Sequence, residues 1–242
     1  SSTIHLLNLT SKTMYYIDPT YYYYALPGLI LALIAQLLVS IRYNQYSKIS
    51  SGSHITGLDA AHLIRDREGF SVDITTNQGK LQDNFDPRKN IVNISSDNVN
   101  SDSVANIAVV AHEFGHVQQK FSSSLLFKLR SIMVPVVNIG SNLGYVLFFI
   151  GLLISAFNLA EAGLILFAST TVFALVTLPV EFNASKKGMN FIEKYNLIEQ
   201  DKKSGARKVL NAAALTYIAG FVTSLANLLY YSSMLNRRKN SN

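Results

Sequence analysis

The sequence contains no cysteine, only five histidines and few charges. Without cysteine no disulfide can form, and any metal site has to draw on imidazole and carboxylate groups. Charged residues make up 15% of the 242 positions against 49% apolar ones, where ordinary soluble domains carry roughly 25% charged residues. The mean hydropathy is +0.21. A charge deficit on this scale points to a bilayer. The charges that remain are skewed, with 21 Lys and Arg against 15 Asp and Glu and a formal net charge of +6. Their placement argues against nucleic acid as the partner: Arg42, Lys48, Lys128, Arg130, Lys186, Lys187, Arg207 and Lys208 flank long apolar runs, as cytoplasmic membrane anchors do.

A membrane span takes about 20 mainly apolar residues. Charge-free stretches near that length lie between Asp18 and Arg42, Arg130 and Glu161, Glu161 and Glu181, and Lys208 and Arg237. They predict spans over 19–41, 131–157, 162–180 and 210–235. Buried helices of a soluble core are the alternative, which recurrence in four places weakens. Residues 1–13 read as a leader or an expression remnant, with Met14 as a natural start, and the tyrosines at 15, 16 and 21–24 suit an interfacial belt. Basic residues assign 42–130 and 183–208 to the cytoplasm, and 158–161, which has none, to the outside. Four spans then leave the C-terminus outside, although Arg237, Arg238 and Lys239 favour the inside. A re-entrant last segment, or a tail carried across by the stronger upstream bias, would resolve this.

The polar stretch 42–130 reads as a small α/β region. Thr56 with Asp59 forms a capping pair for a helix through Glu68, ended by Gly69. Strands are predicted at 72–74 and 91–95, with the turn residues 86–90 before the second. Ser101, Asp102 or Ser103 then caps a helix that carries His112, Glu113 and His116. The fold class is therefore a mainly α integral membrane protein with about four transmembrane helices and a small α/β cytoplasmic region.

In this His-Glu-x-x-His pattern a helix puts both histidines on one face, one turn apart, where they can hold one metal ion. Glu113, one step round, can reach a metal-activated water as a general base without being a ligand. Gly115 inside such a helix signals a close neighbour. With no cysteine, one catalytic zinc ion per chain is expected, held by three protein ligands with one open position.

The third ligand is sought by elimination. No histidine follows His116, a metzincin continuation fails at Gln119 and Ser122, no thermolysin-like glutamate lies about 20 residues downstream, and no Asp-Gly pair exists. Of the later carboxylates, Glu161 lies across the membrane, while Glu193, Glu199 and Asp201 sit among lysines. Glu181 closes an apolar run, where an unpaired charge costs several kcal/mol and a zinc ion removes that cost. A glutamate snorkelling at the membrane edge is the plainer alternative. His54 and His62 remain possible ligands but read as structural, and His5 lies in the leader.

YIDPTY at 16–21, DNFDPRKN at 83–90, KLRSIMVPVVNIGSN at 128–142, LPVEFNAS at 178–185 and KVLNAAALTYIA at 208–219, with the His-Glu-x-x-His helix, resemble the YugP-like family of bacterial membrane zinc metallopeptidases. The resemblance covers residues 14 to about 231. It implies a gluzincin-type site similar to those of HtpX and the CAAX-processing proteases, with the third ligand from a Glu-Phe-x-Ala-Asp-like motif, here Glu181 to Ser185. Ser185 replaces the aspartate of those relatives, so that Asn183 or Ser185 is left to orient a zinc-binding histidine. Asn84 stands where the family is expected to carry histidine.

Residues 14–242 are thus expected to form a single membrane metallopeptidase domain. It hydrolyses peptide bonds of protein or peptide substrates, including membrane proteins, at the cytoplasmic membrane face, with zinc-activated water attacking and Glu113 as general base. Tyr217, Asn211 and Arg207 are weak candidates for stabilising the oxyanion, and a strand edge near 91–94 is a candidate for holding substrate. The competing reading is a non-catalytic membrane scaffold stabilised by zinc, which calls for four protein ligands. A metal transporter would need ionisable residues in the middle of several spans, which these runs lack.

Overall fold

The computed structural model describes residues 19–79 and 82–241. The expected leader at 1–13 and the tyrosines at 15 and 16 lie outside these. In chain order the elements are helices α1 (Pro19–Tyr46) and α2 (Gly57–Glu68), strands β1 (Asp73–Asn77), β2 (Asn84–Asp86) and β3 (Ile91–Ser95), then helices α3 (Ser96–Val99), α4 (Val104–Phe121), α5 (Leu125–Leu153), α6 (Phe157–Lys194) and α7 (Lys203–Lys239). The protein is mostly helical. Helices α1, α5, α6 and α7 are each long and apolar enough to cross a membrane. Leu33 and Leu37 of α1, Ile139 of α5 and Ile165 of α6 stand exposed, as side chains facing lipid must.

These helices run past the predicted spans, because an apolar count stops at the first charge whereas helical hydrogen bonding continues into polar residues. The α5–α6 turn also falls earlier than the polar residues Asn158 and Glu161 indicated. It is made at residues 154–156, where Ser155 takes a left-handed conformation with φ 57°, and Glu161 rides on α6 in an ion pair with Lys239. That pair brings the basic C-terminal end of α7 beside the α5–α6 turn.

Helix α4 forms the centre of the polar region. Ser103 caps it by accepting from the Asn106 N–H, and Ile107, Val110, Phe114 and Val117 pack in one core with Ile64 of α2, Val92 and Ile94 of β3, Ile192 of α6 and Leu210 of α7. Helix α2 begins in the expected reciprocal cap between Thr56 and Asp59 and ends at Gly69, φ 67°. The sheet has the order β1-β3-β2, parallel between β1 and β3 and antiparallel between β2 and β3. β3 is therefore the central strand, paired on both sides, and cannot offer the substrate-binding edge expected near 91–94. β2, hidden in the sequence by its three-residue length, is the edge strand that meets α4. Asp83 ties it down by accepting from the Ser95 N–H (3.0 Å), the Ser95 hydroxyl (2.5 Å) and Asn98 Nδ2 (2.7 Å).

Helices α4 and α6 cross closely because both carry glycine at the contact. A Cβ at Gly115 would run into the Ala184 carbonyl, and one at Gly188 would lie 3.0 Å from the His112 backbone nitrogen. Gly115→Ala is expected to force the helices apart, costing about 1–3 kcal/mol and lowering zinc bound per protein. Thermal unfolding and elemental analysis check this, and wild-type values in both would show the close crossing to be dispensable.

Candidate metal centre

The α4–α6 crossing sets His112 and His116 against Glu181. Their ligand atoms all lie within 4.8 Å of one another. Glu181 Oε2 is 3.2 Å from His112 Nε2 and 3.4 Å from His116 Nε2. Glu181 is 2% exposed and His116 7%, so bulk water does not solvate this charge.

The opposite ring nitrogens are held from behind. His112 Nδ1 lies 3.1 Å from Ser185 Oγ, and His116 Nδ1 lies 2.9 Å from Gln119 Oε1. Gln119 is oriented by donating through Nε2 to the Val180 carbonyl (2.7 Å) and to Asn183 Oδ1 (3.0 Å). Its Oε1 is therefore an acceptor, and His116 Nδ1 must be the donor. In the neutral form that metal binding requires, His116 turns its Nε2 lone pair towards the Glu181 carboxylate. Two acceptors face each other in a buried space, an arrangement that a cation at their centre relieves. Two imidazoles and a carboxylate suit zinc in number and type.

Glu113 lines a cavity of about 240 Å³ with His112, Glu181, Ser185 and Tyr217. It keeps some accessible surface there, although protein encloses the carboxylate. Its Oε2 accepts the Phe85 N–H of β2 at 2.9 Å. Burial pushes its carboxyl up to about 7, with the nearby Glu181 charge adding to the rise and the His112 ring opposing it. A carboxyl in that range can both take up and release a proton near neutrality.

Among the other expected candidates, Arg207 and Asn211 line a separate depression with Glu193, and only Tyr217 reaches the metal cavity. Glu193 is solvent-exposed, 3.8 Å from Arg207. His54 and His62 lie outside the three-residue cluster. Sequence reasoning missed two residues. Arg130, read only as a flank of an apolar run, sets Nη2 3.1 Å from Glu181 Oε1 in an ion pair. Gln119, read only as a failed metzincin glycine, holds His116. Its position three residues after a histidine on one helix was the available signal.

Comparison with known proteins bears on what such a centre does. A family profile described as "Putative neutral zinc metallopeptidase" matches residues 21–236. The chain belongs to this family. It is also 38% identical over 202 residues, 83% of this chain and 90% of the other, to the "Putative membrane protease YugP" of Bacillus subtilis (strain 168). No solved structure gives a significant match. In a zinc metallopeptidase family, the paired histidines and buried glutamate are a group that could hold a metal ion. The residues behind the rings should then tune its affinity. Ser185→Ala and Gln119→Leu are each expected to weaken zinc binding about 10–100-fold, measured by competition with a chromophoric chelator. Unchanged affinity in both would mean that the rings need no such support.

Proposed function

We propose that this protein hydrolyses peptide bonds in protein substrates at the cytoplasmic membrane face, with His112, His116 and Glu181 holding one zinc ion and Glu113 acting as general base. The observation that carries the proposal is the convergence of His112 Nε2, His116 Nε2 and Glu181 Oε2 while side-chain oxygens hold both Nδ1 atoms from behind. Zinc bound there supplies Lewis acidity, polarising the scissile carbonyl and acidifying a water molecule. Glu113 takes the proton of the attacking water and passes it to the leaving amine. The Phe85 N–H fixes its Oε2, which leaves Oε1 for proton transfer. Arg130 faces Glu181 Oε1 as a charge partner at 3.1 Å, while Oε2 faces the histidines. Tyr217, in the same cavity, can donate its hydroxyl to the developing oxyanion. A zinc-stabilised scaffold calls for four protein ligands, whereas the cluster has three among the described residues, and it adjoins a cavity. Residues 14–242 act in this as one metallopeptidase unit. The test is digestion of peptides by the zinc-loaded protein in detergent, with Glu113→Gln as the discriminating variant.

The cytoplasmic placement is supported by charge. Lys120, Lys128, Lys186, Lys187, Arg207 and Lys208 gather at the metal end, and the C-terminal cations at the other end are partly offset by the Glu161–Lys239 pair. A single cysteine at Asn158 is expected to react with a membrane-impermeant maleimide only from outside. Reaction only from the cytoplasmic side would reverse the orientation.

A further inference from the structure

The metal cavity is not the largest opening at this end of the molecule. A cleft of about 750 Å³ runs between β2 and the first turns of α5. Three of its lining residues touch the metal centre directly: Phe85 donates to Glu113, Arg130 pairs with Glu181, and Gln119 holds His116. Phe85, Gln119 and Arg130 therefore form a wall with the cleft on one side and the proposed base and ligands on the other. The cleft is lined by Arg88, Lys120, Lys128 and Arg130, with Asp86 the one carboxylate among the described residues. Asp86 is already engaged by the backbone N–H groups of Arg88 and Lys89, and Lys120 by the Pro87 carbonyl and Asn90. Arg88 and Lys128 are exposed, and no acidic side chain pairs with either among the described residues. Arg130 is turned towards Glu181, its Nη2 3.1 Å from Glu181 Oε1, and its Nε is buried, which leaves Arg88 and Lys128 as the exposed cations of the cleft.

Resting on the peptidase reading, we infer that this cleft selects peptide segments bearing Asp or Glu side chains close to the scissile bond, with Arg88 and Lys128 as the specificity-determining residues. A cleft lined by charge of one sign concentrates ligands of the other sign and rejects like-charged ones. Farther along α5 the lining adds Ile132 and Val134, with polar Ser131 and Asn138 on either side of them, so apolar side chains next to the acidic stretch also find contacts. An anionic lipid headgroup offers the same charge. The wall shared with the metal centre favours the peptide, since only a peptide held there would have a bond for that centre to cut.

The test uses the zinc-loaded full chain in uncharged detergent and two peptides that differ only in having Glu or Lys at the positions flanking an apolar core. Wild type should cleave the Glu peptide with a kcat/KM on the order of tenfold higher, about what two partly screened charge pairs supply, and the preference should shrink as salt rises. Arg88→Glu with Lys128→Glu should reverse it, and Arg88→Gln with Lys128→Gln should flatten it. Folding of each variant is checked by its melting temperature. Fluorescence anisotropy of both peptides on the Glu113→Gln protein separates two kinds of failure. Acidic-selective binding without wild-type turnover would defeat the peptidase reading and leave the charge selection standing. Turnover without charge preference in the wild type would overturn the inference and leave the peptidase. If the charge reversals change only retention on phosphatidylglycerol vesicles and not peptide preference, the cations serve lipid and the inference also fails.

Discussion

Glu113→Gln is expected to reduce peptide hydrolysis by about 10²–10⁴-fold, the range a positioned acid–base group contributes, while zinc per protein stays at the wild-type level. The substitution keeps the volume and can still accept the Phe85 N–H through the amide oxygen, so β2 keeps its place against α4. What is lost is the ability to take up and release a proton, which a carboxylate has and an amide lacks. Zinc retention separates this effect from site collapse, because Glu113 is not among the three clustered ligand groups. A Glu113→Gln protein with full zinc and full turnover would remove Glu113 from the mechanism. His112→Ala and His116→Ala should instead lose the metal and with it all activity.

Glu181→Gln is expected to weaken zinc binding by more than the roughly 10–100-fold lost when a supporting residue is removed, and to abolish activity at limiting zinc. The amide has nearly the same shape, so the effect is one of charge: two neutral imidazoles and an amide hold a dication poorly. The variant also leaves Arg130 beside a neutral partner, and breaking a buried ion pair costs about 3–5 kcal/mol when both ions are fully enclosed. Arg130 keeps 27% of its side chain exposed, so the stability loss should be well below that, and the protein should still purify for a zinc titration. Glu193→Gln is the control, since that side chain stands in solvent with only a distant Arg207. Equal zinc affinity in the Glu181 and Glu193 variants would show that Glu181 serves only as a counter-ion to Arg130.

The spacing of His112, Glu113 and His116 could be read from the sequence because helical geometry turns an interval of four into proximity on one face. That Glu181 lies beside the histidines could be anticipated because a carboxylate closing a long apolar run is costly and needs a reason. The supporting groups were harder to find. Ser185 and Asn183 were both candidates for orienting a histidine, and in the folded chain each supports a different ring. Ser185 meets His112 directly, and Asn183 acts on His116 through Gln119. No local pattern distinguishes those routes, which depend on how two helices distant in sequence cross. Arg130 looked like a membrane anchor because a cation at the head of an apolar helix usually is one. Only the packing of α5 along α6 turns it towards Glu181. In the polar region, the caps at Thr56 and Ser103 and the strand 91–95 are local features and were legible. The pairing of β3 on both sides is not local, and a three-residue β2 carries too little periodicity to be seen.

Whether one zinc ion is held by His112, His116 and Glu181 with a position left open is decided by anomalous difference density at the zinc edge from crystals of the zinc-loaded protein. A single peak is expected about 2.0–2.2 Å from His112 Nε2, His116 Nε2 and a Glu181 oxygen, with its fourth position facing the cavity shared by Glu113 and Tyr217. A peak elsewhere, or a fourth protein side chain filling that position, would contradict it.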